Sequence, residues 1–172
     1  MFSPLCLTVL LATAWATRPT GPLYSFSPAV GHGAGVGYVL QGDERITAIR
    51  VWENFNSYIT GLQVRYGQTW SSLVGRRLGS MQTIQLFEGE AIIQLSGKFH
   101  SSNYIYQVNF VTSRGRSFTV GQPLGFSFNL YPNYPKSELR FLSGRKNSNG
   151  ITSIAAHWGI VDTNSSPPNR TL

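Results

Sequence analysis

The chain has 172 residues, a length that suits one domain with its own core rather than two small ones. A single cysteine, Cys6, excludes an intrachain disulfide and a cysteine metal site, so packing must supply the stability. Fourteen Lys and Arg against seven Asp and Glu give a net charge of +7, a field that favours anionic partners such as nucleic acid, acidic lipid head groups or sulphated glycans. The charges are scattered along the chain, so a basic surface that only maintains solubility is an equal reading.

Residues 5–12 are mostly apolar, and Ala14-Trp15-Ala16 is a small-x-small cleavage pattern. Residues 1–16 therefore read as a secretory signal peptide, with the mature chain starting at Thr17; the alternative is an apolar N-terminal strand. Export places the protein outside the cell, with storage in secretory granules as one route, and argues against nucleic acid as a partner. No later segment has the ~20 unbroken apolar residues that a membrane helix needs. Residues 17–30 form a Pro/Gly-rich lead-in. In Gly31-His-Gly-Ala-Gly-Val-Gly37 every second residue is glycine, which permits close approach of other groups to the backbone, as a ligand-lining loop requires. A loose lead-in before the first strand fits the same residues.

From Ile46 the pattern has a period of two. Thr47, Ile49 and Val51 alternate with Ala48, Arg50 and Trp52; Leu62, Val64 and Tyr66 with Gln63 and Arg65. Ile93, Leu95, Gly97 and Phe99 share one face, as do Tyr104, Tyr106, Val108 and Phe110. Turn signals at Tyr66-Gly67, Glu88-Gly89, Ser113-Arg-Gly115 and Tyr131-Pro132 separate the runs, and no amphipathic helix of useful length is present. The pattern predicts an all-β sandwich, barrel or prism. The polar, proline-broken segment 161–172 is predicted to be a disordered tail, with N-glycosylation patterns at Asn164 and Asn169.

No G-x-S-x-G elbow, P-loop or H-E-x-x-H motif occurs, and several of the seven acids fall in predicted turns. Sequence leaves open a facing carboxylate pair such as Glu53 and Glu138, but the expectation is a non-enzyme without cofactor or metal. The three histidines, His32, His100 and His157, do not make a metal site, and His157 inside a terminal strand reads as packed and hydrogen-bonded.

Several segments in order, Ile46-Thr-Ala-Ile-Arg-Val, Gly61-Leu-Gln-Val-Arg-Tyr-Gly, Ile93-Gln-Leu-Ser-Gly-Lys, Phe110-Val-Thr-Ser-Arg-Gly-Arg, Leu139-Arg-Phe-Leu-Ser-Gly-Arg and Ile154-Ala-Ala-His-Trp, resemble the jacalin-related lectins, most closely their vertebrate secretory branch. The resemblance implies a β-prism of three four-stranded Greek-key sheets over residues 31–160. It also implies a sugar pocket at one end, built from a glycine-rich loop at 31–37, a recognition loop at 100–103 and a binding loop at 146–152. The pocket residues it implies are Gly33, Gly35, Ser101, Asn149, Gly150, Ile151 and Thr152.

The family's binding loop ends on an aspartate that accepts from two sugar hydroxyls; that position here is Thr152, and the loop is one residue longer. Loss of a charged hydrogen bond costs ~1.5–3 kcal/mol, roughly 10- to 100-fold in affinity. Mannose-type binding is thus expected to be weak and to be restored by Thr152→Asp. A second reading moves function to charge, with Arg50, Arg76, Arg77, Lys98 and Arg145 presenting a basic face to sulphated glycosaminoglycans or other polyanions. A third keeps the fold with a decayed sugar pocket and a non-glycan partner. Oligomeric state is not legible in the sequence.

Overall fold

The computed structural model describes residues 24–161, and every regular element in it is a β-strand. The signal segment with Cys6, the cleavage site, Asn164 and Asn169 lie outside the described residues. In chain order the strands are β1 (Tyr24–Gly31), β2 (Val36–Leu40), β3 (Ile46–Glu53), β4 (Ile59–Tyr66), β5 (Thr69–Trp70), β6 (Val74–Gly75), β7 (Ser80–Gln85), β8 (Ile92–Phe99), β9 (Ile105–Thr112), β10 (Ser117–Gly121), β11 (Phe126–Leu130), β12 (Glu138–Lys146) and β13 (Ile151–Gly159). Two of them precede Ile46, where alternation first becomes legible. The segment read as a lead-in at 17–30 thus ends in a strand. β1 carries Pro28 at a register shift between Ser27 and Val30, tolerable because β1 is an edge strand.

Three antiparallel sheets result. The second has the order β10-β9-β8-β11, a meander whose last strand returns beside the first, which is a Greek key. The third, β5-β4-β3-β7, repeats it, except that its outer position is split between β5 and β6, which pair with opposite ends of β4. The first, β1-β13-β12-β2, is the same key closed across the two ends of the chain. The inner faces meet in one core that includes Ile49, Leu62, Leu95, Phe110, Leu142 and Trp158. Trp158 is fully buried, and its indole N–H donates to Ser27 Oγ at 2.9 Å.

The threefold repetition extends to a detail that positions the site. Each sheet's central hairpin contains one extra residue at the same end: Thr60 in β4, Tyr106 in β9 and Thr152 in β13. The carbonyl of each accepts from a loop amide: Arg76 N at 2.8 Å, Gln122 N at 2.8 Å and Gly33 N at 3.2 Å. Each also lies under a glycine of positive φ: Gly75 (82°), Gly121 (97°) and Gly31 (115°). Four residues on, a second glycine (Gly79, Gly125, Gly35) lies against the neighbouring strand's backbone. Gly-x-x-x-Gly therefore recurs three times, once per sheet.

Register shifts overturn two of the expected faces. Ile93 is exposed and Ile92 buried, because the register shifts between Ile92 and Gln94. The bulge at Tyr106 likewise puts Ile105, not Tyr104 or Tyr106, in the core.

The ends of the prism differ in charge. Of the six described carboxylates, Asp43, Glu44, Glu88, Glu90 and Glu138 sit at the end where β2, β7 and β13 finish. The other end, where β1, β8 and β12 finish, carries Arg76, Arg77, Arg145 and Lys146 and only one carboxylate, the buried Glu53.

Candidate functional site

The three loops expected to form a pocket do converge on this basic end. Thr152, the extra residue of β13, turns its side chain toward the glycine loop, where its hydroxyl donates to the Ala34 carbonyl at 2.6 Å. Gly35 (φ 101°) presses onto the Lys146 carbonyl so closely that a Cβ would overlap it, and Arg145 Nη1 donates to Gly35 O at 2.8 Å. The recognition loop joins through His32, whose Nδ1 lies 3.0 Å from the Ser101 carbonyl oxygen.

The binding loop is held by its own asparagines and by two tyrosines that the alternation pattern had assigned elsewhere or passed over. Asn147 Oδ1 accepts from Asn149 N (2.9 Å) and Gly150 N (3.1 Å), closing the turn. The side-chain amides of Asn147 and Asn149 both donate to the Tyr104 hydroxyl, at 3.3 and 3.4 Å. Tyr104 stacks on Tyr58 at 4.1 Å, and Gly150 lies against the Tyr58 ring and the Ile59 carbonyl, where a Cβ would not fit. Two signals for this aromatic support were present in the sequence: the Tyr104/Tyr106 pair beside the predicted recognition loop, and the threefold glycine spacing that marks the bulge.

Proximity does not make all seven pocket candidates available to a ligand. Gly150, Ile151 and Thr152 are buried, and the Thr152 hydroxyl and the Gly150 amide are already engaged. Ser101, Asn149 and Gly35 are exposed, with Gly33 half-buried. The expectation that Thr152 offers its hydroxyl to a sugar is therefore corrected: the bulge directs it inward, to Ala34. Beside the loops, a cleft of about 510 Å³ runs along the outer face of the first sheet, lined by Gly31, Gly33, Gly37, Gly144, Arg145 and Ser153. The glycines along it carry no side chain to cover the backbone.

The candidate polyanion residues do not form one face. Arg76, with Nη1 3.5 Å from Asn149 Oδ1, and the adjacent Arg77 flank the binding loop, and Arg145 lines the cleft. Arg50 instead lies over the Trp70 ring at 3.9 Å on the third sheet, and Lys98 donates to Ser127 Oγ at 2.8 Å on the second. Lys146 joins the basic end in their place. None of these cations takes part in an ion pair among the described residues.

Glu53 and Glu138 lie at opposite ends of the prism, one accepting from Gln122 Nε2 (2.6 Å) and the other from Arg45 Nε (2.9 Å), so they are not a facing pair. No cluster of three metal-ligating side chains occurs among the described residues. Nor is any helix there long and apolar enough to cross a membrane.

The sequence matches the jacalin-like lectin domain over residues 27–157. It is 42% identical over 161 residues to zymogen granule membrane protein 16 of Mus musculus, covering 92% of this chain and 94% of that one. Among solved structures, a prostate-specific WGA16 glycoprotein lectin superposes with a TM-score of 0.70 at 30% identity, over 79% of this chain and 99% of that one. A single-chain recombinant jacalin gives 0.66 at 17% identity, over 84% and 99%. The repeated Greek keys, the loops gathered at one end and these matches agree: the chain belongs to the jacalin-like lectin family, carbohydrate-binding proteins that are not enzymes.

Proposed function

We propose that this chain is a secreted lectin that takes anionic, sulphated glycans at its loop end in preference to neutral mannose-type sugars. The observation that carries the reading is the charge of that end: Arg76, Arg77, Arg145 and Lys146 surround the binding loop, while residues 31–37, 100–103 and 146–152 contain no carboxylate. Without a carboxylate to accept from paired hydroxyls, a neutral hexose loses its strongest hydrogen bonds. A sulphate gains instead, because guanidinium groups meet it with two parallel N–H donors. The name of the murine relative, a zymogen granule protein, and the apolar segment ending at Ala16 support storage in granules and export. The domain is read as 31–160, preceded by the signal and lead-in and followed by the tail.

Binding of a heparin-like chain in low and high salt tests this. Attraction between exposed charges is screened within about 8 Å at physiological ionic strength, so affinity should fall steeply with salt. It should fall again, roughly 10-fold or more, in the double variant Arg76→Ala/Arg145→Ala. Salt-insensitive binding, or mannose bound as tightly as the sulphated chain, contradicts the reading.

A further inference from the structure

We propose that the opposite end of the first sheet carries a second carbohydrate site, one for neutral saccharides. A cleft of about 520 Å³ opens there, lined by Tyr24, Gln41, Gly42, Asp43, Arg140, Phe141, Gly159 and Ile160. Its volume lies within the ~300–1,000 Å³ typical of small-molecule sites. It shares no residue with the loop end. Tyr24 lies opposite Gly159, whose lack of a side chain leaves the floor of the cleft open between β1 and β12.

The lining has the chemistry that a sugar needs. Tyr24 and Phe141 both line the cleft, with ring centroids 6.5 Å apart and planes 24° from parallel, and supply aromatic surface for the apolar C–H face of a pyranose. Asp43 is exposed and takes part in none of the ion pairs among the described residues, so its carboxylate is free to accept from two hydroxyls at once. This is the group missing from the binding loop. Arg140 spends one nitrogen on Glu138 at 3.3 Å and keeps other N–H donors; Gln41 adds an amide that both donates and accepts.

The aromatic wall is fixed in advance by His157. This ring stacks on Phe141 at 3.9 Å and meets Phe26 at 4.9 Å. Its Nδ1 is hydrogen-bonded to the Tyr24 hydroxyl and its Nε2 to Ser143 Oγ. A wall held this way loses little freedom when a ligand lands on it. Burial holds the imidazole below its ordinary pKa and so favours the neutral ring. The charges fit the ligand class: Asp43 and the Glu138-paired Arg140 stand in one cleft, so its lining gives neither an anion nor a cation a one-sided attraction. A neutral polyhydroxylated ring satisfies both side chains.

The experiment is titration of the ¹⁵N-labelled protein with methyl glycosides of neutral hexoses and with a neutral oligosaccharide panel, in the presence of saturating heparin-like chain. The expected result is shift changes at Tyr24, Gln41–Asp43, Phe141 and Gly159, with affinity lost roughly 10- to 100-fold in Asp43→Asn. Tyr24→Phe keeps the ring but breaks its link to His157, and should weaken binding less than Asp43→Asn. Changes confined to residues 31–37, 100–103 and 146–152 overturn the proposal. So does the absence of any neutral ligand, an Asp43→Asn variant that binds as the native protein does, or a cleft that answers only to sulphated sugars.

Discussion

Thr152 shows how far one side chain's direction can move a functional reading. Its hydroxyl donates to Ala34 O and no part of it reaches solvent. Thr152→Val should cost about 1 kcal/mol, the worth of a lost hydrogen bond, measured by denaturant unfolding. Thr152→Asp, which the sequence alone expects to restore mannose binding, should instead place a carboxylate against a carbonyl oxygen in a buried position. An unpaired buried charge is far costlier than a missing hydroxyl, so this variant should unfold earlier than Thr152→Val and gain no mannose affinity by calorimetry. Tyr104 makes the complementary case. Tyr104→Phe keeps the stack on Tyr58 but removes the acceptor shared by the Asn147 and Asn149 amides. With two long hydrogen bonds lost, the loop loosens, and sulphated-glycan affinity should drop roughly 2- to 10-fold while the melting temperature barely moves.

At the scale of elements, strand alternation made the all-β class legible from Ile46 onward, because a half-buried strand writes its two faces into the sequence. The same signal failed wherever a bulge inserts one residue and exchanges the faces. Ile93 came out of the core, and Tyr104 left it for the binding loop. β1 and β2 were hidden for another reason. β1 is an edge strand whose run is broken by Pro28, and β2 has only five residues, of which Tyr38 and Leu40 face the core. The resemblance implies the three loops but gives no account of what supports the binding loop, since Tyr58, Tyr104 and Arg76 lie in connections next to strands of the other two sheets. The triple Gly-x-x-x-Gly was the available clue. At these positions glycine serves two purposes, a positive φ and backbone contact, and the two can be separated. Gly115 has φ 74° with open space around it, so Gly115→Ala should cost only the left-handed penalty of about 1–2 kcal/mol. Gly35→Ala adds overlap with the Lys146 carbonyl and should cost clearly more, and it should also weaken glycan binding. Equal losses in the two variants, by chemical denaturation, would mean that the close approach is easily relieved.

The whole molecule is polarised along its axis, with five of the six described carboxylates at one end and cations outside any ion pair at the other. Glu90 is the most deeply engaged of those carboxylates. Its side chain is fully buried, and it accepts from Arg116 Nε (2.8 Å), the Thr112 hydroxyl (2.5 Å) and the Phe87 amide (2.8 Å). The Arg116 hydrogen bonds, outweighing burial and aided by Thr112 and Phe87, hold the carboxyl down at about 2, against an ordinary value of 4.5. Arg116 is itself packed between Phe87 (4.2 Å) and Phe118 (4.7 Å), so the pair fastens the connections around β8, β9 and β10. Because the folded pKa is depressed, the stability it contributes is fully present above pH 4.5, where the unfolded chain is also ionised. Between 4.5 and about 2 the unfolded chain binds a proton that the folded one does not, and that stability is lost. The melting temperature should therefore decline as pH falls through this window. Glu90→Gln, which keeps the shape but cannot titrate, should melt lower at neutral pH and show a shallower decline between 4.5 and 2. A decline of the same steepness in both proteins would assign the acid sensitivity to other carboxylates. The loop end should respond differently. Its arginines stay charged throughout this range, so sulphated-glycan binding should persist down to the pH at which the fold itself fails. Binding lost well before unfolding would mean that a titrating group, and not the arginines alone, holds the glycan.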